Sequence, residues 1–176
     1  TLNKGQVLQI IATNATADIS GSVVKSVPNS LGKCYPVSVF TGNSRINLTP
    51  ASCGASGGDF MMQQNFPITA WGRNYLVAPT SFSGRASAPF ALSTYRIAVQ
   101  NPATVVKRNG TVLTGLINNH FYQFTSSVAE FIEADQPITM GQFIADGDCA
   151  GETGQVGDPE MFYISPIEQG IKSVGF

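Results

Sequence analysis

Acid–base chemistry in this chain of 176 residues would have to run on very few groups. His120 is its one imidazole, so any Ser/His/Asp or Cys/His arrangement needs it as base, and no Gly-x-Ser-x-Gly elbow accompanies it. Asn118 and Asn119 read as a turn ahead of a strand, which makes His120 a structural or surface residue. Glu130, Glu133 and Asp135 crowd a short segment. Two carboxylates flanking a bond are what a glycosidase needs, but this spacing is equally well explained by a solvated face. No catalytic residue is expected.

Metal chemistry has a single candidate. Asp146-Gly147-Asp148-Cys149-Ala150-Gly151-Glu152 places Asp-x-Asp ahead of a glycine at the sixth position, as a Ca²⁺ loop begins. Ala150 stands where the third acidic ligand belongs, and Gly157 where the bidentate glutamate belongs. Residues 146–152 therefore read as an exposed acidic loop, with Ca²⁺ as the ion to test there and no other cofactor expected. Trp71-Gly72-Arg73 has the residue types of a binding tip, although a lone Trp beside a strand is more often core. It does not name a ligand. Cys34, Cys53 and Cys149 allow three single pairings, each leaving one thiol over, and match no zinc spacing. Sequons at Asn14, Asn47 and Asn109 are no more frequent than chance gives.

The elements that must carry these residues are short. Apolar residues make up 43% and charged residues 12%, a composition that folds. The 18 Gly and 10 Pro interrupt the chain too often for long helices. No apolar run reaches the roughly 20 residues of a membrane span. A net charge of −1 argues against nucleic acid as the main partner. The chain opens at Thr1 with no signal peptide, as a processed chain or a fragment would. Low charge, Gly/Ser/Thr/Asn-rich loops and a cysteine pair point to an extracellular setting. The small net charge hides a split. Residues 1–108 hold nine Lys/Arg against two Asp/Glu, a net of +7, and residues 109–176 hold one Lys against nine Asp/Glu, a net of −8. Such asymmetry can mark a partner surface.

Strand-like stretches recur at 6–11, 22–27, 35–40, 60–62, 75–78, 94–99, 104–106, 121–124, 138–144 and 161–164. Tyr95, Ile97 and Val99 alternate with polar or small neighbours at the period of a half-buried strand. Asn109-Gly110 predicts a type I′ hairpin turn. Residues 127–135 could form a short helix, but Pro137 and the flanking β-like runs favour a strand. The expected fold class is all-β, antiparallel, a sandwich or barrel.

An internal repeat organises these strands. Gly58-Asp59, Met62 and Pro67-Ile68 recur 99 residues later as Gly157-Asp158, Met161 and Pro166-Ile167. Upstream, Cys34-Tyr35-Pro36-Val37-Ser38-Val39 resembles Asp135-Gln136-Pro137-Ile138-Thr139-Met140, and Val7-Leu8-Gln9-Ile10 resembles Phe121-Tyr122-Gln123-Phe124. Two related sandwich-like β units in tandem are expected, at 1–90 and 91–176, with one compact double-sandwich as the alternative. Cys53 and Cys149 hold equivalent places, while Cys34 corresponds to Asp135. The expected disulfide is then Cys34–Cys53, within the first copy.

The ordered stretches LNKGQVLQI, KCYPVSVFTGNSRI, GDFMMQQNFPITAWGRNYLVAPTS, STYRIAVQNPATVVKRNG and FIEADQPITMGQFI…C…GDPEMFYISPIEQ resemble the IgGFc-binding protein N-terminal domain family. The nearest flavour is the bacterial type in large secreted proteins with gliding-motility-associated sorting domains. The resemblance spans nearly the whole chain. It implies a secreted or cell-surface, non-enzymatic β module for adhesion or binding, with an extracellular protein or glycan as ligand. The alternative is a structural subunit of an extracellular filament or sheath, assembled head-to-tail by the basic and acidic halves. In that case self-association should weaken with salt and on reversal of Arg45, Arg73 or Arg85 to Glu. A weaker rival is a carbohydrate-active enzyme.

Overall fold

The computed structural model describes residues 2–14, 17–46, 58–80, 92–144, 159–171, 173 and 175. Nine strands follow in order among them: β1 (Phe40–Ile46), β2 (Asp59–Gln64), β3 (Gly72–Val77), β4 (Ser93–Val99), β5 (Val106–Arg108), β6 (Thr111–Val112), β7 (Phe121–Ser126), β8 (Glu130–Ile144) and β9 (Glu160–Ile164). All pairings are antiparallel, in agreement with the all-β expectation. β1 and β2 form a two-stranded sheet, and the other seven strands form a second. β3, from the first half of the chain, is thus hydrogen-bonded into the same sheet as the strands of the second half.

β8 is the spine of the large sheet. Its first half lies between β3 and β5, and its second half between β9 and β4. The strand turns a corner between the halves. Gly72 pairs with Ile138 but Asn74 already pairs with Glu133, so β8 spends extra residues there, Pro137 among them. Proline lacks the N–H that a ladder needs and is tolerated at such a bulge. Across the corner, the Tyr75 hydroxyl donates to the Ile138 carbonyl at 2.5 Å and accepts from the Gly72 N–H at 3.1 Å. Burial pushes the pKa of this phenol up, with the Gly72 N–H opposing.

The core gathers on one face of this bent sheet: Tyr75, Val77, Tyr95, Ile97, Val99, Val106, Tyr122, Ile132, Ile138 and Met140. In β4, Ser93, Tyr95, Ile97 and Val99 are buried and the residues between them are half-buried, which is the period read from the sequence. Each fully buried large apolar side chain contributes about 1.5–3 kcal/mol. Asn109 and Gly110, with φ of 50° and 82°, make the β5–β6 turn with the positive values a type I′ hairpin requires. Residues from Glu130 onward in the 127–135 segment are strand, not helix.

Three expected strands are absent. Residues 6–11, 22–27 and 35–39 have no strand assignment, and Val7 and Val27 are 90% and 81% exposed. A strand needs a neighbour to receive its backbone hydrogen bonds. Among the described residues none pairs with 6–11 or 22–27, and 35–39 has a single such bond, from the Asn65 N–H to the Val39 carbonyl. Apolar alternation marks a capacity for pairing, not a partner.

The two hairpins of the repeat share one register. Phe40↔Gln64, Thr41↔Gln63, Gly42↔Met62 and Asn43↔Met61 in β1–β2 align with Gly141↔Tyr163, Gln142↔Phe162, Phe143↔Met161 and Ile144↔Glu160 in β8–β9. Each hairpin is followed by a proline and one 3₁₀ turn, at Ile68–Ala70 and Ile167–Gln169. The two exits meet. Gln169 Nε2 donates to the Ala70 carbonyl, and the Tyr163 hydroxyl donates to Asn65 Oδ1 at 2.8 Å.

Candidate functional site

The type I′ turn at Asn109-Gly110 places Arg108 and Asn109 beside the start of β8. There Glu130, with a side chain only 1% exposed, receives a two-pronged hydrogen bond from Arg108: Nε on Oε2, and a terminal nitrogen on Oε1 at 2.5 Å. Asn109 Nδ2 adds a third donor at 3.2 Å, while Asn109 Oδ1 accepts from the Phe131 N–H at 2.8 Å. The Arg108 hydrogen bonds hold the Glu130 carboxyl below the usual carboxylate range, against the upward push of burial. The Arg108 guanidinium lies 4.6 Å from the centre of the Phe124 ring, which stacks on Tyr95 at 5.1 Å. Cation, ring and ring form a short column into the core. Above it opens a cleft of about 430 Å³ lined by Arg108, Asn109, Thr111, Leu113, Val128 and Glu130. Its charged groups satisfy each other, so it offers a polar lip and an apolar wall, not a free base or nucleophile.

The other two carboxylates of this segment are also engaged. Glu133 sits 3.3 Å from Lys107 Nζ, and Asp135 Oδ1 accepts the Val105 N–H at 2.9 Å. The solvated-face reading fails for the buried Glu130 but fits the half-buried Glu133 and the exposed Asp135, and each of the three carboxylates faces a different donor. Two of the three ion pairs among the described residues therefore join the basic half to the acidic half.

His120 follows Asn118 and Asn119, which have φ of 50° and 60°, so the turn reading holds. Its carbonyl accepts the Val99 N–H at 2.9 Å, closing the end of the β4–β7 ladder. Gly21 packs so closely that a Cβ there would lie 2.2 Å from His120 Cβ. Trp71 is half-buried, with its indole N–H 3.4 Å from the Phe66 carbonyl, and is not an exposed tip. Arg73 and Arg45 are exposed. Cys34 is exposed and its thiol is unbonded. Cys53, Cys149, Arg85, Asn47 and residues 146–152 lie outside the described residues. Among the described residues, no group of three or more His, Cys, Asp or Glu side chains could hold a metal ion. No helix there is long and apolar enough to cross a membrane.

Two anchoring residues carry no sequence signal. Arg96, on the outer face of β4, donates through Nε to Gln123 at 2.8 Å and through one terminal nitrogen to Ser20 at 2.8 Å, with Asp18 at 3.0 Å. It lies between the Phe121 and Phe143 rings, 5.0 and 5.6 Å from their centres. This ties the irregular N-terminal segment to the sheet. Burial pushes the Asp18 carboxyl up, but hydrogen bonds from Ser20 and the Arg96 charge bring it below its usual value. Glu168 in the second 3₁₀ turn accepts the Arg73 and Asn74 N–H groups at 2.9 and 3.1 Å and Asn74 Nδ2 at 2.9 Å. Burial raises its carboxyl as well, and these N–H donors carry it below the usual range. Alternation analysis cannot find a contact of this kind, since it pairs residues almost a hundred positions apart.

A different surface belongs to the small sheet. Alternation and the β1–β2 register put Phe40, Phe60 and Met62 on one face, and each is more than half exposed. Among curated proteins and among solved structures nothing matches this chain. The family described as IgGFc binding protein matches over residues 1–176. With the whole chain covered, and with the ordered motifs now placed on β1–β2, β3, β4 and β8–β9, the chain belongs to the IgGFc binding protein family.

Proposed function

We propose that the chain is a secreted or cell-surface module that binds an extracellular protein without catalysis, of the bacterial adhesion type. The observation that carries it is the exposed apolar face of Phe40, Phe60 and Met62 beside a well-packed sheet. Grouped apolar side chains left in water on a folded unit mark interaction sites. The description of the family, a binder of immunoglobulin Fc, supports a protein ligand as the class. Engagement of the Glu130, Glu133 and Asp135 carboxylates by Arg108, Lys107 and the Val105 N–H supports a structural use of these three groups.

The test is an array of purified extracellular proteins, immunoglobulin Fc included, probed with the wild-type chain and with Phe40→Ser/Phe60→Ser/Met62→Ser. Loss of the bound partners in the triple variant is expected. Equal binding by both proteins would overturn the reading. The filament alternative draws on the charge split, but Lys107 and Arg108 already meet Glu133 and Glu130 within the chain. Light scattering on the eluted chain, at low and high salt, distinguishes a monomeric module from a polymer.

A further inference from the structure

β1 and β8 hold equivalent places in two hairpins of one register, yet their second edges differ. In β8 that edge carries β4, paired from Thr94↔Phe143 to Val99↔Ile138. In β1 no strand among the described residues uses it. The offset that superposes Phe40↔Gln64 on Gly141↔Tyr163 puts the counterpart of the β4 contact at residues 37–42. The sequence there matches too: Pro36-Val37-Ser38-Val39 against Pro137-Ile138-Thr139-Met140. Burial is opposite. Ile138 and Met140 are fully buried, whereas their counterparts Val37 and Val39 are 54% exposed and half-buried, and both lie before the first residue of β1.

Backbone direction is set by one bond. Asn65 N–H donates to the Val39 carbonyl at 2.8 Å, so Val39 faces β2. In an antiparallel ladder the N–H and C=O of a residue point to the same neighbour and alternate along the strand. Ser38, Phe40 and Gly42 therefore direct theirs to the open edge. The same logic holds in β4, where the Val99 N–H faces β7 and Thr94, Arg96 and Ala98 face β8.

We propose that this edge, residues 37–42, accepts an extended strand from a protein partner, antiparallel and with the alternating pattern of Ser93–Val99. The inference rests on the protein-binding reading and gives it a mode, β-strand addition. Large apolar residues at the places of Tyr95, Ile97 and Val99 would flank Thr41, Val39 and Val37, as they flank Gln142, Met140 and Ile138 in the large sheet. A second copy cannot supply its own β4 without unravelling it from β7 and β8, which pair with it on both edges.

The probe is a synthetic peptide, Leu-Ser-Thr-Tyr-Arg-Ile-Ala-Val-Gln, added to the full chain, with hydrogen exchange read by mass spectrometry. Exchange at Ser38, Phe40 and Gly42 should slow by about tenfold or more. Ser38→Pro and Phe40→Pro remove an outward N–H and leave the β1–β2 bonds in place, so both should abolish protection with an unchanged circular dichroism spectrum. Phe40→Ser, which keeps the N–H, should retain it. Absence of protection at 37–42, or protection at β7 instead, overturns the proposal. So does protection that rises with chain concentration alone and tracks dimer formation. If the proline variants lose the peptide but keep every partner on the array, the edge proposal falls and the protein-binding reading survives. If the peptide docks while the array stays empty, the edge can take a strand, but the protein-binding reading falls and the proposed protein partner falls with it.

Discussion

Replacing Arg108 by Met should destabilise the chain through Glu130 more than through the lost arginine. Glu130 is 1% exposed and Arg108 33% exposed at the side chain. Removing one member of a buried pair typically costs about 3–5 kcal/mol, because the other charge stays buried alone. The partial exposure of Arg108 puts the expected loss at the lower end, about 3 kcal/mol. With an m-value of about 2 kcal/mol/M, the urea midpoint should fall by about 1.5 M at pH 7. Arg108→Met/Glu130→Leu should recover most of that, since a well-packed apolar pair can substitute for a buried ion pair. The sign with pH follows from the direction of the shift. The folded Glu130 carboxyl is held below its usual value, so its contribution is complete above the unfolded carboxylate pKa of about 4.3 and disappears as pH falls through the folded value. The gap between wild type and Arg108→Met should therefore be widest near neutrality and close under acid. Urea titrations from pH 7 down to about 3 measure it. A midpoint for Arg108→Met within about 0.3 M of wild type at pH 7, or a gap that does not change with pH, would refute the reasoning.

Gly72→Ala should lower stability by about 1–3 kcal/mol, because a Cβ there would lie 2.2 Å from Pro166 Cβ and 2.7 Å from its Cγ; thermal unfolding followed by circular dichroism checks it. Tyr75→Phe should cost about 1–2 kcal/mol by leaving the buried Ile138 carbonyl without its hydroxyl donor, read from the same transitions, and a neutral outcome would mean the corner is held by packing alone. Under oxidising conditions Cys34 should bridge to Cys53, worth about 3 kcal/mol in the chain-entropy model. Non-reducing peptide mapping that recovers Cys149 with either of them would rule that pairing out, along with the repeat alignment behind it.

Local rules were legible where a residue's own geometry decides the outcome. Asn109-Gly110 specifies its turn by the positive φ it tolerates, and Tyr95, Ile97 and Val99 specify a buried face by their period. Hairpin, proline and 3₁₀ turn recur at the landmarks 99 residues apart, but that local likeness does not make two tandem units at 1–90 and 91–176, since β3 of the first half pairs with β8 of the second. Residues 6–11 misled for the reason their counterpart succeeded. Val7-Leu8-Gln9-Ile10 has the pattern of Phe121-Tyr122-Gln123-Phe124, but β7 has β4 beside it and the earlier copy has no such neighbour among the described residues. The Glu130–Arg108 pair was hidden because charge spacing in sequence carries no depth. A carboxylate at the first position of a strand looks solvated until the turn that buries it is known.

The place of β8 at the centre of its sheet has a consequence for how the chain reaches its native state. Its direct neighbours are β3, β4, β5 and β9, and the first three are made before it. During synthesis, β3 has no partner strand among the described residues, and β4 has only β7, until Glu130–Ile144 leaves the ribosome. Pairings such as Val77↔Glu130 span a large share of the chain, and contacts of that sequence separation make folding slow. Through that interval the edges of β3 and β4 stand open to mispairing with other nascent chains. Chains truncated before Glu130 should accordingly aggregate, while those extended past Ile144 have a closed ladder available to them.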